Sequence, residues 1–102
     1  MIPATLSTAP KVQSGLDAYK MYVSKDLEVV HLHLAPGEKI DLHINPVDVV
    51  FCIIEGEALL ETPNEKVSLK KHDVIEIKAG IERGMKNHSR HELRLLVLKK
   101  TG

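Results

Sequence analysis

The sequence has no tryptophan and only three other aromatic residues, Tyr19, Tyr22 and Phe51. So few rings cannot build the stacking platforms on which single-stranded nucleic acids are read. Neither sign of charge prevails: fourteen Lys and Arg balance fourteen Asp and Glu. A chain without net charge has no long-range field to gather a polyanion or an anionic membrane surface, so nucleic acid and membrane are not expected partners. Cysteine is down to one, Cys52, within Val49-Val50-Phe51-Cys52-Ile53-Ile54. It has no mate for an intrachain disulfide, reads as a small buried hydrophobe, and points to a reducing, cytoplasmic compartment. Its apolar setting raises a thiol pKa, which argues against a nucleophile. That apolar run is far too short to span a bilayer. The start, Met1-Ile2-Pro3-Ala4-Thr5-Leu6, lacks the basic region and apolar core of a secretory signal.

Apolar residues at 43% and charged residues at 27% are nonetheless ordinary for a globular chain, and 102 residues suit one domain that folds without staples. Apolar stretches of helical period are hard to find. Instead, short β-rich runs alternate with turn residues from Tyr19 onward, the pattern of an all-β sandwich or barrel. The spacing predicts strands over 18–23, 27–34, 40–44, 47–55, 58–62, 65–69, 73–77, 82–87 and 93–98. The breaks between them are rich in Gly, Pro, Asn, Asp and Ser, as turns require. Pro3 and Pro10 keep the first ten residues from being a regular central strand. The expected organisation is an N-terminal arm or edge segment over 1–17 and one barrel domain over 18–102, with Lys99-Lys100-Thr101-Gly102 as a solvated tail.

The turn residues fall in an order of their own. Pro36-Gly37 is followed at His43 by an extended apolar strand that closes on Ile53-Ile54-Glu55-Gly56-Glu57. Further on, His72 to Asn87 carries Gly80 and Asn87 in fixed register. These two stretches resemble the paired motifs of the cupin superfamily, over roughly Leu32 to Leu98. The resemblance implies a cupin-type double-stranded β-helix, or jelly-roll, barrel. Gly37, Gly56 and Gly80 supply positions where a tight turn calls for positive φ, and Asn87 can satisfy turn backbone groups through its side chain.

In metal-binding cupins two histidines one residue apart, a glutamate and a later histidine converge on a transition metal or zinc. Here only His43 matches; the other three positions fall on Asn45, Val49 and Arg83. Asp48 neighbours the glutamate position but, one residue off along a strand, should face the other way. Arg83 is a permanent cation that repels a metal. Two scaffold positions differ as well, His72 for glycine and Lys78 for proline. No cofactor is expected on this donor set, although a divalent metal completed by other residues is the alternative.

Under the family register His43 and Asn45 share one strand face, Val49, Phe51 and Ile53 share another, and Arg83 and Met85 alternate inward. The implied site is an apolar pocket with His43, Asn45, Phe51, Arg83 and Met85 around a small-molecule ligand. Buried Arg83 would need an anionic partner, either a ligand carboxylate or phosphate or an internal acid such as Glu82 or Glu55; otherwise it turns to solvent. His43 is either a general acid or base near neutral pH or a hydrogen-bonded interior histidine. His31 and His33, two apart on one strand, lack an evident third metal ligand and read as a surface or interface pair. His88 and His91 belong to a turn, and Lys70-Lys71-His72 to a solvated loop. Val50, Cys52 and Ile54 make the second face of their strand apolar too, to be covered by the N-terminal segment or by the second subunit of a homodimer, which the resemblance favours. The functional expectation is a small polar or anionic metabolite bound in the barrel without an obligatory metal. The alternative is a metal-dependent enzyme of dioxygenase, isomerase or epimerase type with non-standard ligands.

Overall fold

The computed structural model describes residues 1–102. Nine strands follow one another without a helix: β1 (Asp17–Val23), β2 (Leu27–Leu34), β3 (Lys39–His43), β4 (Val49–Glu55), β5 (Glu57–Glu61), β6 (Lys66–Lys70), β7 (Val74–Ile77), β8 (Arg83–Lys86) and β9 (Leu93–Lys100). Each answers to one predicted run. They form two antiparallel sheets, a five-stranded one ordered β1-β2-β9-β4-β7 and a four-stranded one ordered β3-β8-β5-β6. Together they make the all-β barrel of a cupin double-stranded β-helix.

Alternation along the strands decides what fills the barrel. Val30, Leu32 and Leu34 on β2, Val49, Phe51 and Ile53 on β4, and Leu93, Leu95 and Val97 on β9 all belong to one buried cluster. Their odd-even partners point outward, as a two-residue period demands. Ala18 on β1 and Ile77 on β7 belong to it too, and from the facing sheet Ala58, Leu60, Leu69 and Met85 complete the cluster.

Turn chemistry fixes the strand order. Gly37, Gly56 and Gly80 all take positive φ, between 82° and 84°. Gly56 is further constrained by space, since a Cβ there would collide with the backbone of Glu92 and Leu93. Asn87 is 1% exposed. Its Nδ2 donates to Leu34 O at 2.9 Å and His91 O at 2.7 Å, and its Oδ1 accepts from Ser89 N–H at 3.1 Å. One side chain thus ties β2 to the turn that leads into β9, and His88 and His91 lie within that turn.

The expected C-terminal tail is not a tail. The β2–β9 ladder runs on to Leu27 opposite Lys100 and Glu28 opposite Lys99, and Thr101 N–H donates to Asp26 O at 3.0 Å. The polar composition of Lys99-Lys100-Thr101 hid a ladder whose hydrogen bonds do not depend on side chains. At the other end, Lys20 N–H donates to Pro10 O and Val12 N–H to Ala18 O, both at 2.8 Å. These bonds fold residues 10–16 back beside β1, and Val12 and Leu16 pack against the inner cluster. Residues 12–16 thus lie on the inner side, while on the opposite face Val50 and Cys52 are half-buried and Ile54 is exposed.

One turn is strained. His72 stands at the position where the family motif has glycine, and it takes φ 79°. A side chain costs about 1–2 kcal/mol in that region, and exposed His72 makes no side-chain hydrogen bond in return. His72→Gly is expected to stabilise the protein by about 0.5–1 kcal/mol after the entropy lost by a more flexible unfolded chain. The melting temperature should rise by about 3–6 °C, whereas His72→Ala should give no such gain.

Candidate functional site

A cavity of about 210 Å³ opens between the two sheets. The expected ligand residues His43, Asn45, Phe51, Arg83 and Met85 all line it, together with Val49. Apolar side chains make most of its wall, from β1, β2, β4 and β9 on one side and Ile40 and Met85 on the other, and the N-terminal segment adds Val12, Ser14 and Leu16.

Arg83 opens β8, the strand between β3 and β5. Alternation turns Arg83 and Met85 inward, and both are at most 2% exposed. The guanidinium makes a single hydrogen bond, Nη1 to Ile81 O at 3.2 Å. Its Nε is buried without any partner. Neither Glu82 nor Glu55 pairs with it, and it does not turn to solvent, so the internal alternatives expected for this cation are not realised. Loss of hydration lowers its pKa from the ordinary arginine value, but a guanidinium keeps its proton throughout the physiological range. The barrel therefore holds a fixed positive charge that the chain leaves unneutralised.

Gly84, next along β8, brings the neighbouring strand close. A Cβ there would lie 2.7 Å from Ile40 O and 3.1 Å from Leu42 N. The β3–β8 register slips between Ile40 and His43, and this irregularity sets His43 at the cavity mouth. His43 is exposed, not interior, and its Nδ1 donates to Asp41 O at 3.1 Å, leaving Nε2 free. Half-buried Asn45 serves its turn, with Oδ1 accepting Val47 N–H at 3.3 Å and its carbonyl accepting Gly80 N–H at 3.0 Å.

Lys99 was missed as a site residue. It follows Leu93, Leu95 and Val97 on the inward face of β9 and lines the cavity half-buried. Two-residue alternation carried past the expected strand end would have found it. The contribution of the N-terminal segment has no such signal, because nothing in residues 10–16 says which face they cover.

Asp48 faces away, as expected. Its Oδ1 accepts Ala79 N–H at 2.8 Å and its Oδ2 lies 3.5 Å from Lys78 Nζ. Ala79 N–H first, and then the Lys78 charge, hold its carboxyl below the usual range.

A family model described as the cupin domain matches residues 30–99. The chain is a cupin. Among solved structures it is similar to a double-stranded β-helix protein from Klebsiella pneumoniae, with TM-score 0.81, 22% identity, and 96% and 88% of the two chains covered. It is also similar to an RmlC-like cupin from Shewanella frigidimarina, with TM-score 0.82, 14% identity and coverage of 94% and 86%. KdgF from Halomonas sp. gives TM-score 0.80, 17% identity and coverage of 92% and 87%. Likeness at this level shows the fold alone. A search of curated proteins finds no match.

The donor set of this cupin does not suit the metal that the motif implies. The cavity wall contains one imidazole, no carboxylate and no thiol. Arg83 stands at a ligand position as a fixed cation, and no three His, Cys, Asp or Glu side chains cluster anywhere in the chain in a way that could hold an ion. Three or four convergent donors are the usual requirement.

His31 and His33 lie apart from the cavity, on the outer face of the five-stranded sheet. His33 sits between two carboxylates, Nδ1 at 2.9 Å from Asp17 Oδ2 and Nε2 at 2.8 Å from Glu92 Oε2. Two acceptors facing both ring nitrogens require the doubly protonated ring. Glu92 above all, and then Asp17, raise its pKa against the opposing effect of burial. Burial, and then Arg94, lower that of His31. With the folded pKa raised, the His33 contribution to stability is full below about pH 6.5 and is lost as pH rises through the folded value. Wild type measured against His33→Gln should show a stability advantage at pH 6 that shrinks by pH 9. An advantage independent of pH would contradict the paired imidazolium.

Proposed function

We propose that this cupin binds a small organic anion in its barrel, without an obligatory metal and with no reaction assigned to it. The observation that carries the proposal is Arg83, 1% exposed with its Nε unpartnered. An unpaired buried charge costs several kcal/mol, and a ligand carboxylate or phosphate offsets that cost through the guanidinium fork. The free Nδ2 of Asn45 supplies a further donor and His43 presents its free Nε2 at the mouth, while Phe51 and Met85 supply apolar contact. In this reading the protein is a binding module of the cytoplasm, and His43 is placed to meet the ligand near solvent.

Its partner in solution is a second copy of the chain. Val50, Cys52 and Leu98 are only half-buried, and Val74 and Tyr22 are 63% and 54% exposed on the outer face of the same sheet. Of the N-terminal segment, the other expected cover, Val12, Ser14 and Leu16 lie on the inner side. A two-fold axis needs only one such self-complementary patch.

Saturating ligand from a panel of carboxylates and phosphate esters is expected to raise the melting temperature of the wild type by about 10 °C or more at a hundredfold excess over Kd. Arg83→Met should abolish the shift while matching or exceeding the stability of the ligand-free wild type, because removing an unpaired buried charge is often stabilising. Absence of any shift across the panel, together with a neutral or stabilising Arg83→Met, would leave Arg83 as a tolerated cost and refute the proposal. Light scattering on the same samples should give the mass of two chains; a monomer would refute the second copy.

A further inference from the structure

The cavity wall says more about the ligand than its sign. We infer that the occupant is a small carboxylate with an apolar body, not a sugar or sugar phosphate; this rests on the anion-binding reading of the same site.

Charge is the first constraint. None of the sixteen lining residues is Asp or Glu. Two are basic side chains that approach from different sheets, Arg83 on β8 and Lys99 on β9. Four other strand lysines have carboxylate partners, Lys20 with Glu28, Lys39 with Asp41, Lys86 with Glu61 and Lys100 with Glu76, while Lys66 and Lys70 on β6 lie away from the cavity. Arg83 and Lys99 take part in no ion pair, and both face the same space. A pocket lined by cations and lacking carboxylates concentrates anions.

Acceptors are the second constraint. Sugar hydroxyls must donate as well as accept, and each one left unpartnered in a buried site costs about tenfold or more in affinity. The side-chain oxygens on this wall are only two, and each already accepts one backbone N–H. Asn45 Oδ1 accepts Val47 N–H at 3.3 Å, and Ser14 Oγ accepts Leu16 N–H at 3.2 Å. The remaining polar groups are cationic donors, Asn45 Nδ2 and the His43 ring. Beyond the free Nε2 of His43, a polyol finds few acceptors here for its protons, whereas a carboxylate has none to give.

Shape and size complete the argument. Ten of the lining residues are hydrophobic, among them Leu32, Phe51, Met85 and Val97. The volume of about 210 Å³ falls below the roughly 300 Å³ at which drug-sized sites begin. With Nη1 engaged by Ile81 O and Nε unpartnered, the Arg83 fork keeps hydrogen-bonding capacity for one planar carboxylate. The apolar remainder of the ligand then lies along β2, β4 and β9.

Calorimetric titration of the full chain with hexanoate, hexanamide, glucose 6-phosphate and inorganic phosphate tests this directly. Hexanoate should bind, more weakly as salt rises, and hexanamide, glucose 6-phosphate and phosphate should not. From acetate upward each added methylene should tighten binding about fourfold until the cavity is full. Lys99→Met, at a half-buried site, should weaken hexanoate about tenfold, and Arg83→Met should abolish its binding. If Arg83→Met fails to fold, Lys99→Met and the salt dependence carry the same test. Phosphate or glucose 6-phosphate binding through Arg83, with hexanoate inert, would overturn the ligand class and leave the anion site standing. Equal binding of hexanamide and hexanoate would overturn charge recognition. Failure of every anion would overturn both readings.

Discussion

The structure turns on one guanidinium placed where the fold puts its least hydrated space. Arg83 is set inward by plain strand alternation, on a strand flanked by β3 and β5, and the chain supplies it with one carbonyl and no acid. Charge of this kind is ordinarily paired or excluded from a protein interior. Its persistence beside Phe51, Met85 and Val97 is what supports the proposed reading of the barrel as an anion receptor whose missing half is the ligand. Lys99 strengthens that asymmetry, and the apolar remainder of the wall limits which anions fit.

The scaffold around that arginine is set by a few turn and close-approach residues. Gly56 lets the β4–β5 turn pass under the Glu92 backbone, Gly84 lets β3 close on β8, and Asn87 ties the far turn to β2. These are backbone jobs that any cupin needs, and they are retained here. The positions at which the family motif gathers metal ligands carry Asn45, Val49 and Arg83 instead, and two of those three have acquired other work: Asn45 caps its own turn and Val49 is core. The fold and the metal chemistry are thus separable, the first stored in turns and the second in a few side chains that this chain has exchanged.

Much of this was legible in the residues. All nine strands could be read because Gly, Pro, Asn and Asp punctuate runs of period two, and both signals are local. The inward face of β8 could be read for the same reason. What escaped reading was decided by contacts distant in sequence. His43 was expected inside, but the slipped register against Gly84 carries it to the mouth, and alternation has no means of announcing a bulge. Lys99 was lost because a polar ending resembles a tail until its ladder to Glu28 is seen. The fate of the Arg83 charge depended on where Glu55 and Glu82 would lie, which tertiary placement alone decides. The clamp of Asp17 and Glu92 around His33 joins three segments that no short-range pattern connects.

The most direct measurement is the crystallographic density beside Arg83 in protein purified without added ligand. The account predicts a carboxylate-shaped feature within hydrogen-bonding distance of Nε, continued by an elongated apolar body along Phe51 and Met85. A protein carboxylate swung in to pair Arg83, or a metal identified there by anomalous scattering, would contradict it.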